Sequence, residues 1–257
     1  MQSNNFALRV VIPARFGSSR LPGKPLIDLA GKPMIVRVFE AVRAALPSVD
    51  IVVAVDDVRI QSILQWQSIP VALTSADHGS GTDRVAEVAR MHQWNENDII
   101  LNVQGDEPLI PNDLLSAFAR FCLERKGLTM ATLAVPLDDA TQIHDPNIVK
   151  LTVDFKGRAI AFSRAAIPFN RDLPPRAWPL SDYLRHVGIY AYQNDVLQRL
   201  TTTPPCSLEI SEKLEQLRAQ WLGISIDVMR WHTSPPHGVD TPADAMRVAE
   251  LFKESTS

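Results

Sequence analysis

Two loops in this 257-residue chain carry side chains of opposite charge at spacings suited to chemistry. The first is Pro13-Ala14-Arg15-Phe16-Gly17-Ser18-Ser19-Arg20-Leu21-Pro22-Gly23-Lys24-Pro25. Its two glycines allow backbone N–H groups to approach an anion, and Arg15, Arg20 and Lys24 can offset the anion's charge, a combination that suits a polyphosphate. It is not a Walker A loop. Five residues separate Gly17 from Gly23-Lys24, and Pro25 stands where a magnesium-binding Ser or Thr is needed, which argues against kinases and ATPases. The competing reading is a solvated basic turn. The second loop, Gln104-Gly105-Asp106-Glu107-Pro108, follows the apolar run Ile99 to Val103. A carboxylate beside bound phosphates is what Mg²⁺ requires, since that ion takes one or two carboxylates, substrate oxygens and water at roughly 2.0–2.1 Å. Asp106 is the better ligand, with a turn-forming Asp as the alternative, and Glu107 can cap or brace the loop. Asp240, in His237-Gly238-Val239-Asp240-Thr241-Pro242, is the partner carboxylate, although Asp before Thr-Pro equally reads as a helix N-cap.

The histidines carry less. His78, His92, His144, His186, His232 and His237 form no H-x-x-x-H pair and have no cysteine near them, so nothing suggests zinc. His186 alternates with apolar residues in Leu184 to Tyr190. That pattern either presents Arg185 or His186 to a pocket or makes His186 a satisfied sheet residue.

The elements that must position these loops alternate between strand and helix. Ala7 to Ile12 reads as a strand, Pro33 to Leu46 as a helix with Met34, Ile35, Val38, Phe39 and Val42 on one stripe, and Ile51 to Val55 as a strand. A helix from about Val58 to Trp66, a short strand Val71 to Leu73 and a helix capped by Thr82 follow. The strand Ile99 to Gln104 and the helix Leu114 to Arg125 continue the pattern, which implies a parallel sheet, with ligands expected beyond the carboxyl ends of its strands. After Met130 to Val135 the rhythm changes. Val149 to Val153 and Ala159 to Arg164 flank Asp154-Phe155-Lys156-Gly157 as a hairpin, and Pro168 to Ser181, with four prolines and no periodicity, reads as a mobile loop. A strand Leu184 to Tyr192, a helix Glu209 to Trp221, a strand Ile224 to Trp231 and a helix Pro242 to Lys253 complete one α/β domain with an inserted lobe.

Composition removes several classes. A net charge of −3, with no strongly basic half, excludes a general nucleic-acid binder. Cys122 and Cys206 alone make neither a disulfide framework nor a cysteine metal site, and a reducing cytoplasm fits them. No apolar stretch is long enough to span a bilayer, and Met1 to Asn5 does not open a signal peptide, so membrane insertion and secretion are not expected.

Six motifs taken together resemble the 3-deoxy-manno-octulosonate (Kdo) cytidylyltransferase family over nearly the whole chain. They are Pro13-Ala14-Arg15 through Gly23-Lys24-Pro25-Leu26, Asp77-His78-Gly79-Ser80-Gly81-Thr82-Asp83-Arg84, Asn102-Val103-Gln104-Gly105-Asp106-Glu107-Pro108, Arg185-His186-Val187-Gly188-Ile189-Tyr190, Leu214-Glu215-Gln216-Leu217-Arg218 and Gly238-Val239-Asp240-Thr241-Pro242. The resemblance implies a nucleotide-diphospho-sugar-transferase-like, Rossmann-like α/β fold. Its mainly parallel sheet would be flanked by helices, with a β-containing lobe at about residues 145–195 that also builds a homodimer. It implies the reaction CTP plus Kdo giving CMP-Kdo and diphosphate, a step toward lipopolysaccharide. By motif, Pro13, Ala14, Arg15, Arg20 and Lys24 would hold the nucleotide and its phosphates, with Ser80, Gly81, Arg84 and Gln104 beside them. Asp106 and Asp240 would hold Mg²⁺, and Lys24, Arg15, Asp106 and Asp240 would form the catalytic set. Gln104, Arg164, His186, Tyr190, Glu215 and Gln216 match sugar-side positions, Arg164 as a guanidinium fork for the sugar-acid carboxylate. Asn170 departs from the Asp common at its place in the family, and residues 172–181 are individual to this chain. Two alternatives stay open: a related acid acceptor, such as 8-amino-3,8-dideoxy-manno-octulosonate or a sialic acid, and a non-catalytic nucleotide-sugar sensor.

Overall fold

The structure is a computed structural model that describes residues 6–17 and 21–254. In chain order it contains β1 (Leu8–Ala14), α1 (Met34–Ala45), β2 (Asp50–Val55), α2 (Val58–Trp66), β3 (Val71–Leu73) and α3 (Gly81–Met91). Then come β4 (Ile99–Asn102), α4 (Asn112–Glu124), β5 (Met130–Pro136), β6 (Lys150–Val153), β7 (Ala159–Ser163) and β8 (Leu184–Gln193). The chain closes with α5 (Asn194–Thr202), α6 (Ser207–Glu212), α7 (Gln216–Trp221), β9 (Ile226–Arg230) and α8 (Pro242–Glu254). It groups into two compact units, Met1–Leu123 with Pro235–Ser257, and Glu124–Ser234.

The first unit is the parallel α/β arrangement expected. β1 pairs in parallel with β2 and with β4, and β2 with β3, giving the order β3-β2-β1-β4. Val10, Val11 and Ile12 of β1 have no exposed surface, and neither do Val53, Ala54 and Val55 of β2. Near-continuous apolar runs of this kind belong to parallel strands covered on both faces. α1 buries Met34, Ile35, Val36, Val38 and Val42. Full burial of such a side chain contributes roughly 1.5–3 kcal/mol, an upper figure, so the strand ends form a stiff platform. Parallel strands release their chain at one common edge. The loops after β1 and β4 therefore leave side by side, with Val11 opposite Asn102 in the register.

α3 is capped by Ser80, not by Thr82. The Ser80 hydroxyl accepts from the Asp83 N–H, and the Asp83 carboxylate accepts from the Ser80 N–H, a reciprocal capping box, while Thr82 is buried inside the first turn. Pro33, expected in the first turn of α1, is its N-cap.

In the second unit β5 runs antiparallel to β8 and parallel to β9. β6 and β7 form the expected hairpin, and β6 also pairs with β8. The Asp154 carboxylate accepts from the backbone N–H groups of Lys156 and Arg158, and Gly157 takes the left-handed conformation at φ 78°, which sets the hairpin turn. Lys150, at the hairpin base, is fully buried, and its ammonium donates to the carbonyls of Asp145, Ile148 and Arg164 at 2.8, 2.6 and 2.6 Å.

Two expectations are corrected here, and one helix has no counterpart in the sequence reading. The Pro168–Ser181 segment is anchored. Trp178 packs with Leu137, Ile143 and Tyr183 and donates from its indole to the Leu173 carbonyl, and the Tyr183 hydroxyl donates to the Pro168 carbonyl at 2.8 Å. The helix expected over Glu209 to Trp221 is two helices, because Lys213 adopts the left-handed conformation at φ 54° and ends α6. α5, with Val196, Leu197 and Leu200 on its buried side, directly follows β8 and was not anticipated.

Candidate active site

The first unit gathers the charged loops around one cleft of about 410 Å³. Its lining includes Pro13, Ala14, Arg15, Lys24, Ser80, Gly81, Arg84, Gln104, Asp106 and Asp240, together with Met34 and His78. Arg20 lies outside the described residues. After β1 the chain turns through Gly23 at φ 68° into a single 3₁₀ turn that opens with Lys24. Gly23 serves that backbone geometry, and its N–H is spent on the Phe16 carbonyl, so it is not an anion donor as the loop sequence suggested. Gly105 is a matter of space. A Cβ there would stand 2.7 Å from the Pro13 carbonyl oxygen, so only glycine lets the β4 loop lie against the β1 loop.

At the centre, Lys24 Nζ donates to Asp106 Oδ2 at 2.6 Å and to Asp240 Oδ1 at 2.9 Å. Burial alone would lower the pKa of Lys24, but the two carboxylates hold it above the ordinary lysine range, so the ammonium stays charged. The N-cap reading of Asp240 is not what the structure shows. The Thr241 hydroxyl accepts from the Asp244 N–H, and the Asp244 carboxylate accepts from the backbone N–H groups of Asp240 and Thr241. Thr241 and Asp244 thus cap α8, and the Asp240 side chain is left for the cleft. The Asp106 loop is held to the same segment by the Val239 N–H, which donates to the Asp106 carbonyl at 2.9 Å. The Glu107 carboxylate lies 3.1 Å from where a Cβ of Gly238 would be, so glycine at that position leaves room for it. Two partly exposed carboxylates meeting at one point suit a hard divalent cation. Among the described residues no group of three or more His, Cys, Asp or Glu is arranged for a metal, so such an ion would complete its shell with ligand oxygens and water.

Sequence reasoning did not single out Asp56, Thr74 or Glu87, which support the cleft. Asp56, at the end of β2, accepts from the Phe16 N–H at 2.8 Å and from the Arg84 guanidinium at 3.3 Å, tying the β1 loop to α3. The buried Arg84 also donates to Thr74 Oγ1 and to the Ser75 carbonyl. On the cleft wall, His78 Nε2 is hydrogen-bonded to the Glu87 carboxylate. The signal for Glu87 was its place one helical turn beyond Asp83 and Arg84, on the helix that the glycine-rich segment opens.

Of the residues matched to sugar-side positions, Gln104 lines the cleft of the first unit, and the other five lie in the second unit. His186 lies between the rings of Phe162 and Tyr190, with centroids 5.2 and 5.3 Å away, and its Nε2 meets Thr132 Oγ1 at 2.9 Å. Burial, reinforced by the Arg185 charge, pushes the His186 pKa down to about 3, so the ring is neutral. Burial and the neighbouring Tyr192 and Glu215 keep the Tyr190 hydroxyl protonated. Gln216 is buried, and its Nε2 has no hydrogen-bond partner among the described residues. Arg164 donates from Nε to the Glu212 carbonyl at 2.6 Å and from one terminal nitrogen to the Pro146 carbonyl at 2.8 Å. Its fork is therefore partly committed, and the second terminal nitrogen is the one with no partner among the described residues.

A parallel α/β platform with a basic loop and paired carboxylates beyond its strand ends is the arrangement of a nucleotidyltransferase, and a family model described as Cytidylyltransferase matches residues 9–226. A Paraburkholderia phytofirmans protein named 3-deoxy-manno-octulosonate cytidylyltransferase 2 is 60% identical over 251 residues, covering 97% of this chain and 95% of its own. A Pseudomonas syringae pv. tomato protein named 3-deoxy-manno-octulosonate cytidylyltransferase is 47% identical, covering 96% and 98%. Among solved structures, CMP:2-keto-3-deoxy-manno-octonic acid synthetase complexed with CTP superposes with a TM-score of 0.88 at 38% identity, over 97% of this chain and 99% of that one. The 4-diphosphocytidyl-2C-methyl-D-erythritol synthase structure shares the fold, with a TM-score of 0.62 at 17% identity over 97% of this chain and 100% of its own. The chain belongs to the 3-deoxy-manno-octulosonate cytidylyltransferase family.

Proposed function

We propose that this chain activates Kdo by transferring the cytidylyl group of CTP to its anomeric 2-hydroxyl, releasing diphosphate, as a cytoplasmic step toward lipopolysaccharide. The observation that carries the reading is the convergence of Asp106 and Asp240 on Lys24 Nζ within the loops that follow the strands. The first unit supplies the nucleotide side. Arg15, Arg20 and Lys24 offset the triphosphate charge, and Pro13, Ala14, Ser80, Gly81, Arg84 and Gln104 surround the nucleotide. Asp106 and Asp240 are oxygen donors of the number and hardness that Mg²⁺ takes from protein. Bound there, Mg²⁺ supplies Lewis acidity that lowers the hydroxyl pKa and stabilises charge at the α-phosphate. The hydroxyl attacks the α-phosphorus in line, and diphosphate departs toward Lys24 and Arg15. These residues position and neutralise, and no covalent enzyme nucleophile takes part. The second unit supplies the acceptor side through Arg164, His186, Tyr190, Glu215 and Gln216. The buried unpartnered Gln216 amide supports this, because such a donor costs roughly 1–3 kcal/mol unless a ligand pairs with it. The lobe at about residues 145–195 is proposed to build a homodimer.

Diphosphate release from CTP, measured with and without Kdo and with and without Mg²⁺, tests the function. Release is expected only with all three components. A several-fold preference for the 8-amino analogue over Kdo in competition would reassign the acceptor, and metal-independent release would remove the role given to the two aspartates.

A further inference from the structure

The contact between His186 and Thr132 carries an inference beyond the roles given above. β5 and β8 slip register between Thr132 and Leu133: Thr132 stands opposite Tyr190 and Leu133 opposite Val187, so Gly188 and Ile189 are extra residues on β8. At this bulge the fully buried Thr132 hydroxyl meets three groups, His186 Nε2 at 2.9 Å, the Val187 carbonyl at 3.2 Å and the Ile189 carbonyl at 2.9 Å. A hydroxyl has one proton to give, and a carbonyl oxygen can only accept. If the hydroxyl donated to His186, both carbonyls would face its lone pairs with no proton between them, deep in the sheet where unpaired polar groups are costly. The proton must therefore go to a carbonyl, and the hydroxyl oxygen must accept from the ring.

We infer that Thr132 is a positioning residue that locks His186 in the Nε2–H tautomer, so that Nδ1 stands as a lone-pair acceptor for a hydroxyl of the acceptor sugar. Nδ1 has no hydrogen-bond partner among the described residues, while Phe162 and Tyr190 fix the plane of the ring. The His186 N–H donates to the Val149 carbonyl at 2.8 Å and anchors the backbone beneath it. The depressed pKa accords with a ring that keeps one proton throughout the physiological range. The sugar half of the inference rests on the acceptor-side assignment made above, whereas the tautomer half does not.

The two halves separate in experiment. Nitrogen NMR of the full-length protein, with His186 assigned through a His186→Gln control, is expected to show Nε2 protonated and Nδ1 unprotonated between pH 6 and 8. A protonated Nδ1 in the unaltered protein would overturn the inference without any substrate being present. Thr132→Val removes the hydroxyl at nearly constant volume and is expected to release the tautomer and raise KM for Kdo roughly tenfold with KM for CTP little changed. Thr132→Ser is expected to restore both, a rescue that a purely packing role would not give. An unchanged tautomer in Thr132→Val would overturn the lock. A locked tautomer with KM for Kdo unchanged in His186→Gln would overturn the sugar contact and the acceptor-side assignment of His186, leaving the nucleotide-side reading untouched.

Discussion

The cleft of the first unit and the His186 cluster of the second handle ionisable groups in opposite ways. In the cleft, Lys24 keeps its charge because the carboxylates of Asp106 and Asp240 lie within hydrogen-bond reach of its ammonium, and Asp240 is 61% exposed. Around His186 and Tyr190, burial forces both groups neutral, and hydrogen bonds and ring contacts hold their orientation. A charged, partly open site can neutralise a polyphosphate and hold a cation. A neutral, half-buried one can recognise hydroxyls by donor and acceptor pattern. The division suits a reaction that joins a highly charged nucleotide to a polyhydroxylated acid.

The largest effect expected is on the charged side. Asp106→Asn and Asp240→Asn should each lower turnover by about 10²–10³-fold while circular dichroism and melting stay close to those of the unaltered protein. Because the two carboxylates act at one point, the double variant should fall little further than either single one. Near-normal turnover in either variant would show that paired charge is not what distinguishes this cleft.

Next in size is the consequence of close packing. Gly105→Ala places a methyl against the Pro13 backbone oxygen and should destabilise by about 1–3 kcal/mol, and displacement of Asp106 should cost roughly tenfold in turnover. Gly188 in the β8 bulge is the control from the second unit. A Cβ there meets nothing within 4 Å, so Gly188→Ala should be close to neutral in urea unfolding. Equal losses at the two positions would mean that the first unit's loops are no more tightly set than the bulge.

The neutral cluster has its own pH signature. His186 has a pKa of about 3 in the folded chain against 6.5 when unfolded. Its contribution is therefore complete above about pH 6.5. As the pH falls, the unfolded chain takes up a proton that the folded chain refuses, and stability declines by up to about 1.4 kcal/mol per pH unit until the folded ring protonates near pH 3. Between pH 7 and pH 5 the unaltered protein should lose about 2 kcal/mol more than His186→Gln in urea unfolding. Parallel pH curves for the two would show that His186 is solvated and belongs with the charged side of the comparison.

The same contrast explains how much could be read from the sequence. The strands of the first unit are apolar runs ending in glycine-rich or charged loops, so its parallel sheet and the meeting of Lys24, Asp106 and Asp240 were legible from local pattern and motif. What was not legible depended on choices between near-equivalent neighbours. Thr241 caps α8 where Asp240 could have, and Ser80 caps α3 where Thr82 could have, because the N3 carboxylates Asp244 and Asp83 pair with those residues. Lys213 breaks a helix without a glycine or proline to announce it, its left-handed turn being set by the surrounding chain. The environment of His186 was hidden for a different reason. Thr132 lies 54 residues away, and only the register slip brings its hydroxyl to the ring. The partial commitment of Arg164 to the Glu212 and Pro146 carbonyls is likewise a long-range fact.

The smallest effect sharpens the comparison most. Ser80 lines the cleft, yet its hydroxyl both accepts from the Asp83 N–H at 3.1 Å and donates to Asp83 Oδ2 at 2.9 Å. With its proton already committed, the side chain acts on α3, and what Ser80 offers a nucleotide is its place on the wall. Ser80→Ala should therefore cost about 1 kcal/mol of stability, the usual loss of an N-cap, with KM for CTP changed by less than about threefold. A tenfold rise in that KM with unchanged stability would mean that the hydroxyl leaves its cap to bind nucleotide. The cleft would then owe its affinity to neutral donors as much as to paired charge, and the contrast between the two units would narrow to one of burial alone.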